Sequence, residues 1–307
     1  MASRSPALRR LTRDRSLAAI ARWHAEFQKT RRFEALGRDP LQFARRYRDP
    51  LDRELVALVS ALLAFGKVLI ITRKLEALLG LLGSSPSATV RESSRDALVA
   101  RLGAFRHRTF AGADIARLLY AVGVLQTRDG GLFVSLERAY ERDRDLRAAL
   151  SAWVSELRAL AWPDGMSRAS RHLLPDPEGP SASKRVWLLM RWVVRPDDGV
   201  DLGLARIPPS ALVIPVDVHI HRIARNLGLT ARADASRKTA DEITDALREL
   251  SPDDPVQYDM AVCHLGISQR CPSRRDPVRC DGCALIEVCV HHVGVNALGR
   301  RARSKGP

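Results

Sequence analysis

An all-α protein built as two lobes is what this sequence predicts, and three observations carry the prediction. No segment sustains the apolar–polar alternation that a half-buried strand requires. Apolar residues recur instead at helical spacing, as Leu55, Leu58, Val59 and Leu62 do. The 307 residues also exceed the size, about 250–300 residues, at which a single hydrophobic core stops growing. With 46% apolar and 5% aromatic residues, the composition is that of a globular chain able to bury a large core.

Element by element, residues 1–16 are basic and are expected to form a mobile N-terminus, after which Leu17, Ile20, Ala21 and Trp23 begin a helical pattern. Asp49-Pro50-Leu51-Asp52 is a helix start, pairing an N-cap with proline at the first helical position. Further helices are expected over about 67–82, 94–103, 112–125 and 131–161. Residues 162–181 hold four prolines and two glycines, which reads as a loop. A helix from Ala182 to Arg195 follows, with Val186, Leu189, Met190 and Val193 on one face. Pro208-Pro209 marks another connection. Asp217 opens a helix whose Ile220, Ile223, Ala224 and Leu227 share a face and whose stop is Gly228. The last pair covers about 237–249 and 255–268, and 291–307 is a basic tail.

Fifty Lys and Arg against 35 Asp and Glu give a formal charge of +15. The excess is mostly arginine, whose planar fork suits phosphate, so the expected partner is a nucleic acid. An anionic membrane surface is the weaker competitor. The longest apolar run, Leu55–Gly66, is followed by Lys67 and is too short to span a bilayer. The N-terminus has positive charge but no apolar stretch before a cleavage site, which excludes a secretory signal; the expectation is a cytoplasmic, nucleoid-associated protein and a monomer. Five cysteines, four of them clustered, then point to a metal in a reducing compartment rather than a disulfide frame.

The cluster is Cys271, Cys280, Cys283 and Cys289, spaced C-x8-C-x2-C-x5-C. Four thiolates that close can converge on one soft metal centre, an iron–sulfur cluster or a structural zinc. A tetrahedral zinc site more often pairs two C-x2-C knuckles, and here there is one. The segment CPSRRDPVRCDGCALIEVC resembles the cluster loop that ends endonuclease III and its adenine-glycosylase relatives, with two extra residues in the first gap. That resemblance implies a [4Fe-4S] cluster, with zinc as the alternative, and a loop whose Arg274, Arg275 and Arg279 reach DNA phosphate. Cys263, in an apolar helix, reads as core.

VIPVDVHIHRIARNLGL, Val213–Leu229, resembles the V-D-V-H segment that carries the catalytic aspartate of the helix-hairpin-helix DNA glycosylase superfamily, and Asp217 occupies that place. An aspartate at a helix start is also an N-cap, and the two readings are compatible. The resemblance implies that Asp217 stabilises positive charge developing on a deoxyribose. His219 and His221 lie two apart, on different faces of a helix, and read as surface or interface rather than as a metal pair. Arg222 and Arg225 share a face that can meet phosphate or solvent. Upstream, SASKRVWLLMRWVVR puts Lys184 in the first turn of a helix, where its charge opposes the helix dipole. In bifunctional members of the superfamily a lysine in this helix attacks C1′ and cleaves the strand, and Lys184 resembles it.

Two departures from the family pattern stand out. The glycine hairpin before the lysine is replaced by Leu174-Pro175-Asp176-Pro177-Glu178-Gly179-Pro180, which alters the phosphate-binding turn. The Lys184–Asp217 segment is longer than in endonuclease III and similar to the archaeal 8-oxoguanine branch. The nearest resemblance, over about residues 49–290, is to a poorly characterised bacterial family related to the superfamily, whose helix also reads K-R-x5-R-W-x-V-R. VALVSALLAF resembles the helix that in endonuclease III ends in the wedge of the extruded base. Leu62 takes that place and reads as core.

Together these imply a helical barrel lobe over 50–212 and a second lobe from 17–49 with 213–290. The cluster loop, 271–289, lies in the second lobe, with the active-site cleft between the two. The activity implied is base-excision repair: a DNA N-glycosylase, a hydrolase with lyase activity at abasic sites. The alternatives are a non-enzymatic DNA-binding relative with a structural metal cluster and a zinc-bearing RNA-binding protein.

Overall fold

Short polar residues that accept hydrogen bonds from the free N–H groups of a first turn open many of the helices in this computed structural model, which describes residues 6–293. The chain runs α1 (Pro6–Thr30), α2 (Arg32–Leu36), α3 (Leu41–Ala44), α4 (Pro50–Leu62), α5 (Val68–Leu82), α6 (Pro86–Glu92) and α7 (Arg95–Leu102). A hairpin of β1 (Arg106–His107) and β2 (Phe110–Ala111) leads into α8 (Gly112–Asp129), α9 (Val134–Asp143), α10 (Leu146–Ala161), α11 (Arg168–Leu173) and α12 (Lys184–Val194). After a 3-10 turn at Pro209–Ala211 come α13 (Val218–Asn226), α14 (Arg237–Arg248) and α15 (Asp259–Ser268). Among the described residues the protein is all-α apart from that hairpin, and no helix is long and apolar enough to cross a membrane.

The helices fall into two compact units, Met1–Ala35 with Val213–Pro307, and Leu36–Leu212. In the second, Asp49 Oδ1 accepts from the N–H groups of Leu51 and Asp52 at 2.8 and 3.1 Å, and Pro50 pre-sets the first turn of α4. Helix α4 is buried on every side from Glu54 to Leu62, as the central helix of a bundle must be, and packs against α3, α6 and α12. Helix α8 packs against α6, α7 and α10. In the other unit α15 packs against both α1 and α13. Ser16 Oγ donates to Leu227 O at 2.8 Å, and Trp23 Nε1 donates to Ala261 O at 2.8 Å, so the middle of α1 is tied to both α13 and α15.

Several elements differ from the sequence reading, each for a local reason. The helix expected over 131–161 is two, because Arg144 takes a left-handed conformation (φ 54°) and Asp145 caps a new start by accepting from Arg147 and Ala148 N–H. The proline-rich loop 162–181 contains α11, opened by Ser167 Oγ accepting from Ser170 N–H at 3.0 Å. The β1–β2 hairpin has two residues a side, too few for periodicity to register. Residues 6–16 are already helical in α1, whereas 1–5 and the tail from 294 onward lie outside the described residues.

Candidate catalytic residues and the four-cysteine loop

Asp217 is the N-cap of α13. Its Oδ1 accepts from His219 N–H at 2.8 Å and from Ile220 N–H at 2.9 Å, which fixes the carboxylate against the positive end of the helix. Its Oδ2 is turned toward Cys263 of α15, whose Sγ donates at 3.9 Å. Asp217 is half-buried, and the next residue, Val218, is exposed. The helix beneath is held by Ile220, Ile223 and Ala224 and by a close approach to α15: a Cβ on Gly266 would stand 3.0 Å from both His219 Cβ and Ile223 Cδ1. His221 is engaged with Arg232 O at 3.0 Å.

Lys184 opens α12 in the other unit. The residue before it, Ser183, is left-handed (φ 44°) and offers no side-chain cap, though its carbonyl accepts from Val186 and Trp187 N–H; Lys184 itself is half-buried. The approach to it is ordered by Asp176, whose carboxylate accepts from Ser151 Oγ at 2.7 Å and Glu178 N–H at 2.9 Å, while Asp176 O accepts from Ser183 Oγ and Gly179 N–H. Next along α12, Arg185 is buried. Its guanidinium donates to Leu62 O and His172 O, the carbonyl ends of α4 and α11, and lies 5.3 and 5.4 Å from the rings of Phe65 and Phe110. Burial pushes its pKa down to about 10. Leu62 is 1% exposed and belongs to the core; the apolar side chains exposed beyond that helix end are Val68, Leu69 and Ile70.

The four cysteines are half-buried thiols in one electrostatic neighbourhood. Burial pushes the Cys271 thiol up, the Asn226 amide pulls it partly back, and the charges of Cys283, Cys289 and Cys280 push it up again. Burial raises Cys283 in the same way, with Cys289 and Cys280 adding to it. Among the described residues no group of three or more His, Cys, Asp or Glu side chains takes the arrangement that holds a single metal ion. All three loop arginines are exposed, and Arg279 also lies 3.5 Å from Asp276. Of the α13 pair, Arg225 is exposed while Arg222 donates to Cys271 O at 2.8 Å and so grips the loop.

The structure thus gathers Asp217, Arg222 and the cysteine loop in one unit and puts Lys184 in the other. Sequence reasoning missed Asn226, which is 6% exposed at the last turn of α13 and hydrogen-bonded to the cysteine loop. The only signal in the sequence is a buried-face position of α13 filled by an amide instead of an aliphatic residue. Searches of curated proteins and of solved structures returned no match. Residues 39–268, well over half of the chain, match a family described as "Protein of unknown function (DUF2400)"; the match takes in Lys184 and Asp217 and ends just before Cys271. The chain belongs to the DUF2400 family.

Proposed function

We propose that this protein is a base-excision repair DNA glycosylase of the helix-hairpin-helix superfamily that also acts as a β-lyase at abasic sites in duplex DNA. The observation that carries the reading is the carboxylate of Asp217, one oxygen locked by two backbone N–H groups and the other free of backbone. A carboxylate so fixed is pre-organised to stabilise the positive charge that grows on the deoxyribose as the C1′–N bond to the base breaks. Lys184 supplies the amine. As the base leaves with the C1′–N electron pair, the unprotonated Nζ bonds to C1′. The nitrogen then gives up a proton and the C1′–O4′ bond breaks, O4′ taking the pair and a proton, which leaves a protonated imine. Its C2′ loses a proton as the C3′–O bond breaks and the phosphate leaves with that pair. The +15 charge and the exposed Arg225, Arg274, Arg275 and Arg279 supply phosphate contacts.

By the chemistry of its donors the four-thiol set suits a [4Fe-4S] cluster, with zinc as the alternative, and a single ion would require the thiols to draw together from their positions here. Burial, with the neighbouring thiols adding to it, raises Cys271 and Cys283 and so disfavours anionic sulfur at those two positions, a cost that a cationic centre relieves. When bound, the metal group supplies rigidity, pinning the loop that displays Arg274 and Arg275.

A panel of duplexes, each carrying one damaged base or an abasic site, tests the reading. Excision from at least one, with a borohydride-trapped covalent adduct that Lys184→Gln abolishes, is expected. Excision without an adduct demotes Lys184 and leaves a monofunctional glycosylase; binding with no turnover on any duplex, abasic included, leaves a non-enzymatic DNA binder. Protein purified without oxygen should be brown and contain iron and sulfide; one zinc and no iron refutes the cluster.

A further inference from the structure

The cysteine loop is closed at both flanks by one buried amide. Asn226 Nδ2 donates to Cys271 Sγ at 3.4 Å and to Pro272 O at 3.1 Å, and Asn226 Oδ1 pairs with His291 Nε2 at 3.1 Å. Cys271 and Pro272 begin the loop and His291 follows its last cysteine, so a side chain that is 6% exposed spends its polar atoms on the two ends of the segment. Arg222, one turn earlier, adds a bond from the same helix to Cys271 O. Burying an amide costs free energy unless its groups are paired. An aliphatic residue here would pack as the neighbouring Ile223 does, and the amide's three bonds all serve the loop.

We propose that Asn226 is a ligand-positioning residue of the four-cysteine centre: its amide orients the Cys271 sulfur and ties both flanks of the loop to the helix whose other end is Asp217. The proposal rests on the metal-centre reading above. An N–H donor on a ligand sulfur stabilises the more negative form of a metal–thiolate centre and so raises its reduction potential. It also holds the sulfur where the metal needs it, which slows ligand loss. Because Asp217 caps and Asn226 ends one nine-residue helix packed on α15, loosening the loop releases the C-terminal anchor of the element that positions the carboxylate.

The test uses full-length protein purified without oxygen, with iron and sulfide measured first. Three forms are compared: wild type, Asn226→Ala and Asn226→Asp, the last matching asparagine in size and keeping an acceptor for His291 but setting a carboxylate against the Cys271 sulfur. The readouts are the rate of iron release to a ferrous chelator and the reduction potential by protein-film voltammetry, with urea unfolding as the check on folding. Release roughly ten- to a hundredfold faster than wild type is expected, with Asn226→Asp the faster of the two and both potentials below wild type. A filler role predicts the opposite order, since the isosteric aspartate fills the space and alanine does not. Should Asn226→Ala fail to fold, Asn226→Asp alone decides by the same two readouts. Wild-type release rate and potential in Asn226→Asp overturn the proposal while the metal centre stands. Wild-type protein without metal overturns the metal centre and the proposal together.

Discussion

Replacing Asp217 by asparagine and by alanine separates two things that one side chain does. As N-cap, Asp217 Oδ1 takes up two backbone N–H groups of the first turn of α13, groups that have no partner within the helix. Alanine loses both bonds, which at a half-buried helix end costs about 1–2 kcal/mol. Asparagine keeps an oxygen in the same place and loses only the charge–dipole attraction, about 0.3–1 kcal/mol. Neither change disturbs the packing of Ile220, Ile223 and Ala224 beneath, so both variants fold. Urea unfolding at neutral pH should rank stability as wild type, asparagine, alanine. Catalysis should rank differently: both variants lack the negative charge, and losing a pre-organised electrostatic group of this kind costs on the order of 100- to 1,000-fold in rate. Single-turnover excision on the responsive duplex, at saturating protein so that binding is removed from the comparison, reads that loss. An asparagine variant that excises within a few-fold of wild type refutes the catalytic role, and an alanine variant as stable as the asparagine one refutes the capping argument.

Three further outcomes are expected. Burial holds the Glu54 carboxyl above its ordinary value, only partly offset by hydrogen bonds from Leu132 N–H and Gln126. The native protein therefore binds more protons than the unfolded chain between the ordinary carboxylate value and the raised one, and stability falls as pH rises through that window. Glu54→Gln removes this component and can donate to the buried Gln126 Oε1, which has no partner among the described residues; its urea midpoint relative to wild type should be higher at pH 7 than at pH 4, and parallel curves would count against the argument. A Cβ at Gly112 would stand 1.7 Å from Leu102 O and one at Gly123 2.7 Å from Val90 O. Gly112→Ala should then cost about 3 kcal/mol or more and exceed Gly123→Ala, with equal costs by chemical denaturation refuting the order. On duplex DNA, changing Arg274 and Arg275 together to alanine should reduce the magnitude of the log Kd–log salt slope by about 0.9 for each phosphate that their guanidinium groups neutralise; Arg279→Ala, paired with Asp276, should change it less, and an unaltered slope in the double variant removes the loop from the interface.

Helix α12 shows where sequence periodicity stops being informative. Its pattern assigns one apolar face, yet Arg185 through Val194 are all buried. Arg191 is accommodated by Asp201 at 3.2 Å, Arg195 reaches the same carboxylate, and the returning chain bonds to its last turn through Leu202 N–H on Trp192 O at 2.7 Å. None of these partners lies within a turn of the helix. The break between α9 and α10 differs in kind, because the cap at Asp145 is local but the apolar spacing runs across it and hides it.

What the sequence determined by itself is what short-range physics decides. It set the all-helical class, the starts at Asp49 and Asp217, the stop at Gly228 with φ 72°, Lys184 in a first turn, and four cysteines in one short loop. Capping, left-handed glycine and helical spacing act within about one turn of chain, so neighbouring residues reveal them. Only the tertiary structure decided that Asn226 closes the cysteine loop, that Arg222 holds the loop while Arg225 stays exposed, that Cys263 faces Asp217, and that buried Arg185 rests on two helix ends. Their partners lie 13 to 123 residues away along the chain. A buried polar group is tolerated only where folding supplies its partner, and no local pattern records where that partner will be.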